Sequence, residues 1–289
     1  MDQNLELKVE EAKNIILNNF KSEEKDKYAG LFSGGKDSLI VYNLLKELNL
    51  TDDIYFLYNK SGMETEGFIN FMNKNYPNVN WVGPDKPLDE IWKENKWLPE
   101  VRPVFNFENL TKKFIYNDEN RYQLYCCYRY RYGEKFKVLL NYKYVFTGTK
   151  NQDITNSHTI KSAVYSLHEW TYISPIYNWT NNECWNYINE KGIEYSIDYE
   201  RLGGNYTCPL CSCMYNANKR NIVQLGIYYP ELLQRYKDAA KYCYENNEKL
   251  QEIFSDWEDY FNCWLNKYEY RSRVFNEGGG GIDTELDED

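Results

Sequence analysis

Histidine is scarce in this chain of 289 residues, which contains only His158 and His168. A metal site built on several histidines is therefore excluded, and a Ser-His-Asp triad would have few candidates. Long apolar runs are also absent, since no stretch approaches the roughly 20 residues that a membrane helix needs. The first residues lack a basic segment followed by an unbroken apolar one, which indicates a helix and no secretory signal. We therefore expect a cytoplasmic protein without a membrane partner.

Basic residues are fewer than acidic ones, with 34 Lys and Arg against 44 Asp and Glu, so the formal net charge is -10. That balance does not predict a surface built mainly to bind nucleic-acid phosphates, although it does not exclude a local basic groove. Hydrophobic residues make up 42% of the chain and charged residues 27%, which is typical of a globular protein. The length predicts one large domain or a main domain with an appended subdomain.

Apolar spacing predicts strands and helices that alternate along the first half of the chain. The predicted strands are 28–32, 54–58, 79–82 and 144–147, and the predicted helices are 5–20, 38–48, 64–75, 88–93 and 180–191. Two or more further helices are expected after Pro230. This order predicts an α/β fold with a mainly parallel twisted sheet flanked by helices, Rossmann-like, and a C-terminal helical subdomain. The expected parts are an N-terminal helix (1–25), the α/β domain (26–178), the helical subdomain (179–275) and a disordered acidic tail (276–289).

The strongest short motif is SGGKDS at residues 33–38, between the first predicted strand and a helix. Two glycines allow a tight turn whose amide N–H groups face inward, and the N-terminus of the next helix adds partial positive charge. Lys36, Ser33 and Ser38 complete a site for a phosphate or pyrophosphate. The spacing differs from G-x-x-x-x-G-K-[ST], so the phosphates need not be held as they are in kinases or GTPases.

This segment resembles the signature of the PP-loop adenine nucleotide α-hydrolases, which include ATP pyrophosphatases and phosphoadenosine phosphosulfate (PAPS) reductases. Residues 61–65 (SGMET) are similar to the family's T-G-x-x-x-x-E-T region, and residues 147–150 (TGTK) to its T-G-x-R segment. Residues 174–185 (SPIYNWTNNECW) resemble the P-[IL]-x-x-W-[ST]-x-x-D-V-W stretch of the PAPS reductases. The resemblance implies that residues 33–38 are a PP-loop and that the α/β domain binds an adenine nucleotide.

The resemblance also implies a set of site residues. The candidates for binding the nucleotide are Ser33, Gly34, Gly35, Lys36, Asp37, Ser38, Ser61, Gly62 and Gly148. The candidates for catalysis are Lys36, Asp37 and Lys150, with Lys60 as a weaker one. Lys36 would offset charge on the leaving pyrophosphate, and Asp37 would cap the helix or position Mg²⁺. Arg129 and Arg131 would either face the nucleotide or lie in solvent.

Eight cysteines without a predicted export signal favour thiols, metal ligands or redox groups over disulfides. The pair Cys126 and Cys127, together with Cys208 and Cys211, resembles the four-iron four-sulfur (4Fe-4S) ligand set of adenylyl-sulfate reductases. Four thiolates also suit zinc, so a structural Zn²⁺ site is the alternative. Cys213 could substitute as a ligand or be a free thiol. The remaining cysteines, expected to be buried in helices, are Cys184, Cys243 and Cys263.

Two departures from the sulfonucleotide reductases bear on the reaction. The residues after Cys263 include no cysteine to act as the C-terminal nucleophile that the resemblance implies. Lys150 stands where the family segment has arginine, which makes sulfate recognition less favoured. We therefore expect an enzyme of the nucleotide α-hydrolase or sulfurtransferase type that cleaves the αβ bond of ATP. It would adenylylate an acceptor for iron-sulfur-assisted sulfur transfer.

Two alternatives stay open at this stage. One is a PAPS or adenylyl-sulfate reductase that takes its nucleophilic thiol from Cys213 or from a partner. The other is a non-catalytic nucleotide-binding subunit with a structural zinc site. The expected partners are an adenine nucleotide and a sulfur donor or reductant protein, and the chain would be a homo-oligomer or a subunit of a complex. A nucleic-acid acceptor is not supported by the net charge.

Overall fold

The computed structural model describes residues 3–99, 134–153, 162–167, 169–204, 219–266, 269–270 and 273–274. The chain divides into two compact units, neither of which is continuous in sequence. The first unit is formed by Met1–Asn59, Phe71–Val82 and Lys135–Ser196. The second unit is formed by Lys60–Asn70, Gly83–Glu134 and Ile197–Asp289. Within the described residues, no helix has the length and apolar character needed to cross a membrane.

A six-stranded sheet is the centre of the first unit. Its strands are β1 (Tyr28–Leu31), β2 (Tyr55–Asn59), β3 (Asn80–Val82), β4 (Tyr144–Phe146), β5 (Val164–Leu167) and β6 (Trp170–Ile173). They lie in the order β3-β2-β1-β4-β6-β5. Only the β5–β6 pair is antiparallel among these strands, and the other neighbours are parallel. The predicted Rossmann-like α/β fold is confirmed.

Ten helices have both ends within the described residues. They include most of the helices predicted from the sequence. They are α1 (Gln3–Asn19), α2 (Lys36–Glu47), α3 (Glu66–Asn75), α4 (Leu88–Asn95), α5 (Asn181–Lys191), α6 (Asp198–Leu202), α7 (Lys219–Tyr228), α8 (Pro230–Glu245), α9 (Glu248–Ile253) and α10 (Trp257–Trp264). Residues 134–139 are also helical. Short 3-10 segments occupy Ser22–Lys27, Thr51–Asp53 and Asn151–Asp153.

The centre of the sheet depends on a glycine. Gly30 in β1 is in register with Phe56 on β2 and with Phe146 on β4. A Cβ atom at residue 30 would lie 2.6 Å from two ring carbons of Phe56. The absence of a side chain therefore lets an aromatic ring cover the strand that leads into the PP-loop.

Three helices of the first unit pack together, because α2 contacts both α1 and α5. The apolar side chains of α2 at Leu39 and Leu44 are fully buried. Glu47, at the end of α2, forms ion pairs with Lys13 of α1 at 2.9 Å and with Lys191 of α5 at 2.7 Å. The helix that follows the PP-loop is thus held on both sides.

Helix α5, which the sequence predicts over 180–191, begins with a capping box at Thr180. The Thr180 hydroxyl accepts a hydrogen bond from the amide of Glu183 at 3.3 Å, and the Glu183 carboxylate accepts one from the amide of Thr180 at 2.7 Å. Gly192 ends the helix in the left-handed conformation, with φ of 61°. The capping box satisfies amide groups at the first turn of α5. Gly192 adopts the left-handed conformation that ends many helices, and its amide donates to carbonyls of the last turn.

The second unit is helical and has its own apolar core. Trp92 of α4, Tyr236 of α8 and Trp264 of α10 lie at its centre, with ring centroids 5.6 to 6.4 Å apart. Trp264 donates a hydrogen bond from its indole nitrogen to the carbonyl of Pro99 at 2.7 Å. The expected helices after Pro230 are present, and α4, which precedes them by more than a hundred residues, shares their core.

We predict that Thr180→Ala lowers the free energy of unfolding by about 1 kcal/mol, the typical effect of losing a threonine N-cap. Urea unfolding followed by circular dichroism measures this change. The control is Asn182→Ala, which alters an exposed residue in the same turn and should leave stability within about 0.5 kcal/mol of the wild type. Equal stability of Thr180→Ala and the wild type would mean that the capping box does not stabilise α5.

Candidate functional site

The PP-loop lies at the carboxyl edge of the sheet, between β1 and α2. Strands β1, β4 and β6 are neighbours and run parallel, so the segments that follow them leave the sheet at the same edge. These segments are residues 32–38, 147–153 and 174–178. In open α/β sheets, ligands bind at this edge, which places three of the four sequence motifs around one position.

The PP-loop turns back on itself through its own hydrogen bonds. Gly34 has a φ of 71°, in the left-handed region that favours glycine. The Ser33 hydroxyl accepts from the amide of Gly35 at 3.3 Å and lies 3.2 Å from the Ser38 hydroxyl. Ser38 donates to the carbonyl of Gly35 at 2.8 Å. The loop therefore has a defined shape before any ligand binds.

Gly35 is the N-cap residue of α2 and has no side chain to offer to the first amides of that helix. A helix N-terminus carries partial positive charge and attracts anions, most strongly when no acidic side chain caps it. Lys36 follows at the first helical position. The arrangement suits a phosphate group held by backbone amides with an ammonium group beside it.

A chain of charged contacts links the PP-loop to the segment after β4. The Lys36 ammonium donates to Asp37 Oδ2 at 3.0 Å. Lys150 donates from Nζ to the same oxygen at 2.8 Å, and its Nζ lies 2.9 Å from Asp153 Oδ2. Asp37 thus receives two ammonium groups on one carboxylate oxygen, and Lys150 lies between two carboxylates.

Lys150 is a buried cation, with only 1% of the residue exposed. Burial disfavours the charged form, but the hydrogen bonds and the ion pairs with Asp37 and Asp153 raise its pKa above the usual 10.5. The amide of Lys150 also donates to Asp153 Oδ2 at 3.2 Å. Its positive charge is therefore retained at neutral pH and directed at carboxylates.

Gly148 allows the segment after β4 to approach the PP-loop closely. A Cβ atom at residue 148 would lie 2.9 Å from the carbonyl carbon and from the Cβ of Asp37. Contacts this short to backbone atoms are not relieved by moving a side chain. The glycine of the T-G-x-R-like segment is thus needed for packing against Asp37, two residues before the lysine that binds it.

Cys184 of α5 lies near the same carboxylate and is fully buried. Burial and the negative charge of Asp37 raise the pKa of its thiol to about 12. The thiol is therefore protonated and unreactive at neutral pH. The sequence predicts burial for this cysteine, and the structure adds its proximity to Asp37.

The SGMET segment, residues 61–65, belongs to the second unit, so its candidate residues are described apart from the PP-loop. The Glu64 carboxylate accepts hydrogen bonds from both the amide and the hydroxyl of Ser61, the latter at 2.8 Å. Arg235 of α8 donates to the carbonyl of Gly62 at 2.9 Å. Thr65 donates to the buried Asp198 at 2.5 Å. The nucleotide-binding role of Ser61 and Gly62 stays a prediction.

The four candidate cluster ligands, Cys126, Cys127, Cys208 and Cys211, lie outside the described residues. Cys213, Arg129 and Arg131 do as well. Within the described ranges, no group of three or more His, Cys, Asp or Glu side chains could hold a metal ion. The expectation of an iron-sulfur or zinc site therefore stays a prediction.

Asp153 contributes to the charged contacts at this edge, and it is not among the candidates predicted from the sequence because it lies outside the four motifs. It closes the 3-10 turn Asn151–Asp153 and accepts from both nitrogens of Lys150. The available signal was its position three residues after a lysine in a loop of otherwise uncharged residues. That signal is weak, because most such pairs lie in solvent.

The family model of the phosphoadenosine phosphosulfate reductase domain matches residues 27–210, which is more than half of the chain. The chain belongs to this family. The PAPS reductase domain match spans the PP-loop, the SGMET segment, the segment after β4 and the capped helix α5. The resemblance drawn from four short motifs is therefore confirmed, and so is the PP-loop fold.

Two solved structures that are similar to parts of this PAPS reductase family member are distant from it in sequence. The phosphoadenylyl-sulfate (PAPS) reductase from Candida auris, in a phosphate complex, is 13% identical, with 70% of this chain and 93% of that chain covered and a TM-score of 0.43. The FMN adenylyltransferase from Candida glabrata in complex with ATP is also 13% identical, with 69% and 59% covered and a TM-score of 0.45. No curated protein matches the chain.

We predict that Lys150→Met lowers the free energy of unfolding by about 3 kcal/mol, because Asp37 loses a buried cationic partner. The control is Lys25→Met, which removes an exposed lysine that is 2.8 Å from Asp53, and it should cost less than about 1 kcal/mol. Urea unfolding measures both. Equal losses in the two variants would contradict a special role of the buried ion pair.

The same pair of variants gives a pH test. Because the folded protein raises the pKa of Lys150, its contribution to stability is fully present below the ordinary value of 10.5 and is lost as the pH rises through the higher folded value. The difference in unfolding free energy between wild type and Lys150→Met should therefore be constant near neutral pH and shrink in strong alkali. A difference that shrinks at acid pH alone would point to the carboxylates instead.

Proposed function

We propose that this PAPS reductase family member binds ATP at the PP-loop and cleaves the bond between its α-phosphorus and the αβ-bridging oxygen. An acceptor oxygen attacks the α-phosphorus, and pyrophosphate leaves with the electron pair of the broken bond. The acceptor becomes adenylylated, and its proton passes to water. With water as the acceptor, the products are AMP and pyrophosphate.

The observation that carries this proposal is the PP-loop itself. Its left-handed Gly34 turns the loop, and the N-terminus of α2 at Gly35 and the ammonium group of Lys36 are two sources of attraction for phosphate. The leaving pyrophosphate gains negative charge as the bond breaks. A group that offsets this charge lowers the barrier more than it strengthens the binding of ATP.

The charged contacts of the loop support separate roles for its residues. Lys36 would meet the leaving pyrophosphate. Asp37, which accepts from Lys36 Nζ, would orient that ammonium group, and Lys150 would hold Asp37 in place. In this scheme Lys150 acts through Asp37, because its own Nζ is buried between carboxylates.

One carboxylate of this edge has an oxygen that would suit Mg²⁺. Asp37 Oδ2 accepts from two ammonium groups, whereas Asp37 Oδ1 is buried and has no hydrogen-bond partner among the described residues. Mg²⁺ bound to proteins usually keeps several waters and uses one or two carboxylates together with substrate phosphates as ligands. Asp37 Oδ1 would therefore be the protein ligand of a Mg²⁺ ion that enters with the nucleotide phosphates, and the proposed roles of Lys36 and Lys150 do not depend on the metal.

Sulfur transfer after adenylylation rests on the four candidate ligands Cys126, Cys127, Cys208 and Cys211. Four thiolates are a complete ligand set for a 4Fe-4S cluster, and they suit zinc equally well. An iron-sulfur cluster held by them would supply a reducing electron or a sulfur atom, whereas zinc would only brace the chain. We propose the iron-sulfur cluster because of the family resemblance of this cysteine pattern.

The reaction is tested by incubating the full chain with ATP labelled at the α-phosphate and separating the products. AMP and pyrophosphate are expected, and Lys36→Ala should lower kcat/KM by about 100-fold, the effect of removing one donor to developing charge. The control is Lys46→Ala, an exposed lysine on the same helix, which should leave the rate unchanged.

Other outcomes of this assay would replace the proposal. ADP and phosphate as products would exclude attack at the α-phosphorus. ATP binding without turnover would favour the non-catalytic subunit. Release of sulfite from a labelled sulfonucleotide, with no AMP formed from ATP, would favour the reductase.

The cluster is tested by purifying the protein without oxygen and measuring its absorption spectrum with its iron, sulfide and zinc content. A broad band near ~400 nm with about four iron atoms per chain is expected. Cys208→Ser should lose the band. The control is Cys243→Ala, since Cys243 is buried and donates to the carbonyl of Trp92 at 3.4 Å. A colourless protein with about one zinc per chain would overturn the iron-sulfur proposal.

A further inference from the structure

The charges at the carboxyl edge of β1, β4 and β6 cancel. In residues 32–38, 147–153 and 174–178, the charged side chains are Lys36, Asp37, Lys150 and Asp153. The two lysines and two aspartates sum to zero. Lys150 pairs with both Asp37 and Asp153, so the segment after β4 presents no net cation to a ligand.

Asp153 is one of the two carboxylates that neutralise Lys150. Its Oδ2 atom accepts from the backbone amide of Lys150 at 3.2 Å and lies 2.9 Å from Nζ. The two contacts hold the side chain and the backbone of the lysine to one carboxylate. With Asp37 on the other side, the ammonium group is enclosed and only 1% of Lys150 is exposed.

The other side chains of the described residues 147–153 are neutral. The hydroxyls of Thr147 and Thr149 lie 3.0 Å apart, and Asn151 accepts a hydrogen bond from the Tyr177 hydroxyl at 3.2 Å. Hydroxyl and amide groups bind an anion more weakly than an ammonium group does. A ligand with an anionic group at residues 147–153 would have to desolvate that group beside Asp153, because Lys150, the cation of these described residues, is already paired.

We infer that Asp153 is a specificity-determining residue, which selects a nucleoside triphosphate whose anionic groups are all held by the PP-loop. A nucleotide that carries a further anionic group outside the PP-loop, such as the sulfate and 3′-phosphate of PAPS, is disfavoured. Asp153 acts through Lys150 and is not itself in contact with the reacting atoms. This inference rests on the proposed binding of ATP and specifies its selectivity.

The substitution Asp153→Asn tests the inference because it removes one negative charge and keeps the size of the side chain. The amide oxygen of Asn can still accept from the backbone of Lys150, so the 3-10 turn is retained. The charge of Lys150 is then balanced by Asp37 alone. Titration calorimetry of the full chain with ATP and with PAPS, at one ionic strength, gives the two dissociation constants.

The expected result is a change in selectivity. Wild type binds ATP more tightly than PAPS. In Asp153→Asn, the dissociation constant for PAPS divided by that for ATP falls by about tenfold, equivalent to ~1.4 kcal/mol. Using the ratio cancels any general effect of the lost charge on nucleotide binding. A loosened fold would weaken both ligands, so a relative gain for PAPS distinguishes a specificity role from a structural one.

The matched control is Asp53→Asn. Asp53 also ends a three-residue 3-10 turn and pairs with a lysine, Lys25, at 2.8 Å, but it lies before β2 at the opposite edge of the sheet. Its ratio of constants should equal that of the wild type. An Asp153→Asn ratio that also equals wild type would overturn the inference and leave ATP binding intact. A wild type that prefers PAPS would overturn it as well, and a wild type that binds no ATP would overturn the proposed function on which it rests.

Discussion

The ion pair between Lys150 and Asp37 joins the two loops on which the site depends. Asp37 belongs to the PP-loop and Lys150 to the segment after β4, and their strands β1 and β4 are neighbours in the sheet. A buried ion pair gains its attraction in a medium of low dielectric constant, and it costs the desolvation of both groups. Here a third group, Asp153, adds a second attraction for Lys150, and Gly148 permits the close approach of the two loops. Both offset the desolvation of the buried charges. The pair is thus better understood as a device that orients the loop than as a large source of stability.

Much of the first unit can be predicted from the sequence, because its strands are short apolar runs bounded by turn residues. The positions of β1 to β4 and of α1 to α3 differ from the predicted ones by no more than about two residues at most ends, and the same holds for α4 of the second unit. The hairpin β5–β6 is not predicted. Its strands have four residues each, and β5 at the edge of the sheet alternates too briefly, and with too little burial, to be recognised. Pairing with β6 rather than local pattern makes it a strand.

Only some residues of the candidate site can be predicted from the sequence, and the physical reason differs from residue to residue. Backbone requirements leave a sequence signal, so Gly34 and Gly148 are found as motif residues. The partner of a buried charge leaves almost no such signal, because its identity depends on the path of the chain. The pairing of Asp153 with Lys150 and the proximity of Cys184 to Asp37 are therefore found only in the structure. Glu64, by contrast, is part of a recognised motif, and it binds Ser61 within its own loop.

The discontinuity of the two units sets the order in which the chain can fold. Strand β1 pairs with β4, so Tyr28 can pair with Tyr144 only after residue 144 has been synthesised. Helix α2 likewise completes its packing only after α5 has been synthesised. During synthesis the first unit stays incomplete until the ribosome has passed Lys191. The early segments, with apolar residues such as Leu39 and Leu44, are therefore exposed for most of translation. Contacts so distant in sequence slow folding, and apolar surface that stays exposed during synthesis is prone to the aggregation that chaperones prevent.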